Sequence, residues 1–230
     1  QRQTRTKDFA VSHAFNGFGT TTDSGVAAND RLTAEAKSLR SEFFWVSHTY
    51  DHENLDCFNP VPNSGTCAGA TYAESAWEIQ QNLKIAASMG LPLDRLSMVT
   101  PGISGLRNAE FLRAAKDNGI RYLVSDMSRP DWLPAKPNTG VWSPYQPSIF
   151  LIPRRATNIF YNASTPVAGA WGSETDEFNF LFGPNGYFKT GSGTPFFSSN
   201  MSYEQILDWE STQIVSYMLR GELYPVMFHQ

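Results

Sequence analysis

Short apolar runs alternate along this chain with longer segments of helical periodicity. The run DFAVSHAF is apolar and β-prone. Asn29 then stands where it can cap a helix over DRLTAEAKSLR, with Leu32, Ala36 and Leu39 on one face. FFWVS is a short continuous apolar run, the pattern of a strand covered on both faces. Thr71 and Glu74 form a capping-box pair ahead of YAESAWEIQQNLKIAASMG, and Gly90 supplies the stop. RLSMVT predicts the next strand, NAEFLRAAKDNG a helix ending at Asn118-Gly119, and IRYLVSD a strand after it. Residues 133–200, rich in Pro, Gly, Ser and Asn, predict loops with short strands. Ser202 and Gln205 open a last helix, YEQILDWESTQIVSYMLRG, that stops at Gly221, and LYPVMFH closes the chain as a strand. Repeated strand–helix–strand units imply parallel pairing in a barrel or a doubly wound sheet. In both, chemistry collects at the carboxyl ends of the strands.

Composition narrows the function. The 230 residues are 41% hydrophobic and 17% charged, ordinary for a globular protein. A net charge of −4 argues against a nucleic-acid partner. No apolar stretch is long enough to span a membrane. Six Trp, within 13% aromatic residues, suit either a packed core or a carbohydrate groove. The two cysteines, Cys57 and Cys67, bracket a turn-rich loop that a disulfide would staple. Asn162-Ala-Ser164 and Asn200-Met-Ser202 are glycosylation sequons. Sequons and a loop disulfide together point to a secreted eukaryotic protein. The polar start QRQTRTKDFAV is not a signal peptide, which processing or truncation would explain.

Three segments fall at predicted strand ends: SHTYDH after FFWV, TPGISG after RLSMV, and FHQ after LYPVM. His48 and His52 are spaced i, i+4, so on a helical turn both imidazoles would share a face and could share a metal. Neutral imidazole is a good zinc ligand. Two hydrogen-bonded loop histidines are the plainer alternative. His13 reads as structural.

HTYDH matches the His-Ser/Thr-x-x-His motif of the NodB-homology polysaccharide deacetylases. VTPGISG sits where that family has an Arg-x-Pro-Tyr loop, SDMSRPDW resembles its Asp-x-x-Asp-Trp segment, and VMFHQ resembles its final apolar-x-His motif. SHTYDHENLDC, PRRATNIFYNAS and YPVMFHQ look most like the fungal galactosaminogalactan deacetylases, secreted enzymes acting on a cell-wall and biofilm polymer.

The resemblance implies an α/β fold, an irregular (β/α) barrel, with residues 1–230 as one catalytic domain that hydrolyses N-acetyl groups on an amino-sugar polysaccharide. His48 and His52 would ligate a divalent metal, zinc by preference, and Thr49 would brace their loop. A backbone N–H near Gly102 would assist at the oxyanion. His229 would protonate the leaving amine, held by Asp131, with Asp126 as rival. Pro101 and Trp132 would line the groove. The family's Arg and Tyr are absent here, with Val99 and Gly102 in their places. The family's Asp-Asp pair, one base and one ligand, should precede DFAVSHAF; none does, and Asp8 starts the wrong strand. The expectation is therefore a fragment, incomplete at both ends, of a protein with further domains. Two other readings stay open. One is a glycoside hydrolase using Glu174, Asp176 and Glu177, although GSETDEF is more simply a solvated turn. The other is a non-catalytic sugar-binding module with a degenerate site.

Overall fold

A computed structural model describes residues 11–20, 30–61, 64–128 and 132–227. It divides into two compact units. The first comprises residues 1–125, 131–133 and 140–152, and the second comprises 126–130, 134–139 and 153–230.

In the first unit the chain runs β1 (Ser12–Phe15), α1 (Arg31–Ser38), β2 (Phe44–Ser47), β3 (Asn59–Pro60), β4 (Cys67–Ala68), α2 (Tyr72–Met89), β5 (Leu93–Met98), α3 (Ala109–Asp117), β6 (Tyr122–Asp126) and β7 (Val141–Trp142). β8 (Phe150–Ala156) begins there, and its last residues belong to the second unit. The sheet order is β1-β2-β5-β6-β8-β7. β1, β2, β5 and β6 pair in parallel, and β7 returns antiparallel to β8. This is the topology of an incomplete (β/α) barrel, as the alternating pattern predicts.

Local chemistry explains where the helices begin and end. Both predicted capping boxes form: Thr71 with Glu74 opens α2, and Ser202 with Gln205 opens α5 (Tyr203–Leu219). Gly90 ends α2 in the left-handed conformation, at φ 70°. α1 departs from expectation. Its cap is Asp30, not Asn29, which lies outside the described residues. The Thr33 hydroxyl donates to the Asp30 carboxylate. Of the expected face, Ala36 and Leu39 are half-buried, but Leu32 is exposed and Thr33 is buried beside it. β2 is also only partly covered, because Phe44 at its start is exposed while Trp45 and Ser47 are buried.

Two apolar clusters fill this unit. One gathers Ile79 of α2, Met98 of β5, Phe111 and Leu112 of α3, and Leu123 of β6. The other gathers Phe15, Trp45, Ile85 and Met89. His13 lies beside the second cluster, edge-on to Phe43 at 4.4 Å, and burial lowers its pKa. Cys57 and Cys67 form a disulfide across the β3–β4 hairpin, with Cα atoms 5.0 Å apart.

In the second unit, α4 (Glu174–Phe182) occupies a stretch expected to be loop, and α5 packs against it around Phe178. Ser173 caps α4, and three acidic residues fill its first turn. That is a helix start signature, favoured by the helix dipole. β9 (Val226–Met227) pairs in parallel with the end of β8.

The disulfide closes a short loop, so replacing both cysteines by serine should lower stability by about 2–3 kcal/mol, the chain-entropy expectation for such a loop. Urea denaturation of the double variant measures this. The native, unreduced protein should take up no thiol alkylating reagent.

Candidate active site

The parallel strands β1, β2 and β5 deliver their carboxyl ends to one place, and His48 follows directly after β2. Its Nδ1 lies 2.8 Å from the carbonyl oxygen of Val99, which follows β5. An N–H donated there puts the lone pair on Nε2, the arrangement that readies an imidazole for a metal. The His48 and His52 rings stand 4.8 Å apart between centroids, inclined at 71°. The pair is therefore together, but not on a helical turn. Thr49 and His52 both adopt left-handed backbone, at φ 64° and φ 68°. For a β-branched threonine this conformation is costly, about 1–3 kcal/mol, and it persists only where the surroundings enforce it.

The surroundings are specific hydrogen bonds. Asn16, just after β1, donates from Nδ2 to the carbonyls of His48 and Thr49. Thr49 Oγ1 donates to the His48 carbonyl at 2.6 Å. Asn82 of α2 donates to the Phe15 carbonyl and to Ser47 Oγ, both at 2.8 Å, tying β1 to β2. Glu78, one turn earlier on α2, accepts at Oε2 from the N–H groups of Tyr50 (2.8 Å) and Asp51 (3.2 Å). Gly17 lets α2 come this close: a Cβ there would sit 3.0 Å from that of Ile85.

Glu78 is fully buried. Burial, the largest influence, pushes its pKa up to about 7; the two N–H bonds oppose that rise, and the Asp51 charge adds to it. Glu78 Oε1 and Asp51 Oδ1 are both buried with no other partner.

The β5 end carries a 3₁₀ turn over Pro101–Ile103. Pro101 is buried and Gly102 exposed, and both Gly102 (φ 58°) and Ile103 (φ 54°) are left-handed. Trp132 is only 2% exposed, within the first apolar cluster, with the Arg107 guanidinium 5.7 Å from its ring centroid. In the second unit Asp126 accepts from Ser128 N–H at 2.7 Å and faces Arg154 at 3.5 Å. Asp131 and His229 lie outside the described residues. Both sequon asparagines, Asn162 and Asn200, are exposed. The GSETDEF carboxylates are not a solvated turn. Glu174 is buried in the first turn of α4 and accepts from Phe160 N–H at 3.0 Å, while Asp176 is exposed.

No group of three or more His, Cys, Asp or Glu side chains placed to hold a metal occurs among the described residues. The donor chemistry of His48 and His52 nonetheless fits two of the ligands a zinc ion takes. The sequence pattern did not reveal Asn16, Ser47, Glu78 and Asn82. The available signal was two polar residues, 78 and 82, set at i, i+4 within an otherwise buried face of α2.

Because the Glu78 pKa is higher folded than unfolded, the folded state binds more protons between the two values. Its contribution to stability is complete below 4.5 and is lost as pH rises through about 7. Burial raises Glu174 and Glu210 in the same direction. Glu78→Gln keeps the amide-accepting oxygen and supplies a permanent donor toward Asp51. Urea titrations across this range should show stability falling with pH in the parent, and a shallower fall in the variant. An unchanged slope would mean that Glu78 is ionised throughout.

Comparison with known proteins follows this geometry. A family model described as the Agd3 deacetylase domain matches residues 22–230. Among solved structures, the crystal structure of Agd3, described as a novel carbohydrate deacetylase, aligns with a TM-score of 0.66 and 26% identity. The alignment covers 87% of this chain and 27% of that one, so the chain spans about a quarter of that protein's length. Nothing among the curated proteins matches. Since the family match extends over nearly all of the sequence, this chain belongs to the Agd3 deacetylase domain family.

Proposed function

We propose that the chain carries the catalytic chemistry of a secreted, metal-dependent polysaccharide N-deacetylase, acting on an amino-sugar polymer of the galactosaminogalactan type. The observation that carries this reading is the His48–His52 pair, with the His48 tautomer set by the Val99 carbonyl, in a chain of this family. The related crystal structure is described as a carbohydrate deacetylase. The disulfide is compatible with an extracellular setting.

His48 and His52 would hold the divalent ion, with zinc favoured by two imidazole donors. When bound, such an ion polarises an acyl oxygen and lowers the pKa of a coordinated water. His48 would offer Nε2 to the ion, since its Nδ1 faces the Val99 carbonyl. The left-handed turn at Gly102 exposes backbone where an N–H can donate to the acetyl oxygen as negative charge develops on it. His229 would deliver the proton to the departing amine, oriented by Asp131 or, failing that, by Asp126. A catalytic zinc usually takes three protein ligands, so the third ligand and the base would come from residues outside the described set. Glycan hydrolysis through Glu174 has less support, since that carboxyl is buried and engaged by Phe160.

Acetate release from an acetylated hexosamine polymer, and metal content after gel filtration, test this in the intact protein. His48→Ala and His52→Ala should each lose metal and activity together; full metal occupancy in either would remove that residue from the ligand set. His229→Ala should keep its metal while the rate falls by about 10²–10⁴, the range for losing a general acid. New reducing ends without acetate would point instead to a glycoside hydrolase.

A further inference from the structure

The second unit holds a recess of about 400 Å³ that the deacetylase reading does not use. It lies between the turn at Asn162 and Ala163 and the start of α4, and Trp171, Glu177 and Phe180 line it. Trp171 is 98% exposed and Phe180 66% exposed. Both rings stand beside the same hollow, so together they offer one apolar patch at its rim.

The walls are held in place before any ligand arrives. Ser164 N–H donates to the Gly172 carbonyl at 2.8 Å, and Glu174 N–H donates to the Thr165 carbonyl at 2.9 Å. Gly169 N–H donates to the Asp176 carboxylate at 2.6 Å, and Thr175 Oγ1 to the Pro166 carbonyl at 2.7 Å. Gly172, at φ 71°, is required here, because a Cβ would stand 2.7 Å from Ser164 Oγ.

The charge around the recess is one-sided. Asp176 and Glu177 line it, and no Lys or Arg does. No ion pair among the described residues involves either carboxyl. A ligand that fits must offer an apolar face to the indole and a positive charge to the carboxylates. A hexosamine without its acetyl group does both. The C–H face of the ring stacks on an aromatic side chain, and the ammonium meets carboxylate and π-face together.

We propose that this recess is a subsite for a deacetylated, cationic hexosamine residue of the polymer, stacked on Trp171 with its ammonium toward Glu177 and Asp176. The choice of sugar rests on the deacetylase reading; the recess, its exposed rings and its charge do not. Such a subsite would hold the enzyme on polymer that has already lost acetyl groups.

Calorimetric titration of the full chain, produced without glycosylation, with short oligomers of a deacetylated hexosamine and with their N-acetylated counterparts tests this at low ionic strength and mildly acidic pH. The deacetylated oligomer should bind on the order of tenfold more tightly than the acetylated one, and Trp171→Ala should remove about that factor. Trp171 is so exposed that its loss does not threaten folding, and Trp171→Phe should restore part of the affinity. Glu177→Gln should weaken the deacetylated oligomer alone. Equal affinity for the two oligomers, or no effect of Trp171→Ala, would overturn the proposal. So would a glycan on Asn162 of protein from a eukaryotic host that stabilises the fold in a Trp171-dependent way, since the occupant would then be the protein's own sugar. His48→Ala separates the two proposals. A parent chain that releases no acetate sinks the deacetylase reading, acetate release that survives in the variant removes only His48 from the metal site, and in both cases oligomer titration still decides the recess.

Discussion

Two polar side chains one turn apart on a buried helix face hold this site together. Asn82 reaches the end of β1 and the end of β2, while Glu78 takes the backbone N–H groups of the loop that follows β2. Everything nearer the histidines depends on that clamp. Without an acceptor, the amides of Tyr50 and Asp51 would be buried and unpaired, at a cost of about 1–3 kcal/mol each. The left-handed turn at Thr49, which brings His52 back toward His48, would lose its support. A hydrophobic residue at 78 would pack well against the apolar cluster and still dismantle the loop.

The sequence shows the helices wherever their signals are local. Thr71 with Glu74, and Ser202 with Gln205, announce their helices through side chain to backbone bonds within a single turn. Signals that need a partner elsewhere are harder to read. Which first-turn residue of α1 is buried depends on what lies beside the helix, and there it is Thr33 rather than Leu32. α4 begins with a capping serine and three acids, yet Gly172 and the polar run around it look like a turn. Only packing of Phe178 against Phe182, Phe197 and Trp209 decides the matter.

The site divides in the same way. The spacing of His48 and His52 is a sequence property, and that they can meet follows from it. The route by which they meet does not, because helical and left-handed connections both satisfy i, i+4. The supporting residues were harder to see for a different reason. A glutamate and an asparagine on a helix normally face water, and only their i, i+4 placement among the apolar positions of α2 hints that Glu78 and Asn82 are buried. Their role appears only when β1, β2 and α2 are set side by side.

The partner that fixes the His48 tautomer is a main-chain carbonyl. Any residue at position 99 supplies that group, so the side chain there is free to vary while the proton on His48 stays where it is. What cannot vary is strand phase. β2 and β5 pair Val46 with Asp94 but Ser47 with Met98, so an irregularity in β5 takes up the intervening residues just before the site. It is this local slip that presents the Val99 carbonyl, rather than its neighbour's, to the imidazole. Which ring nitrogen of the histidine faces a carbonyl thus depends on the count of residues in β5, and inserting or deleting one there would change that partner without touching any functional side chain.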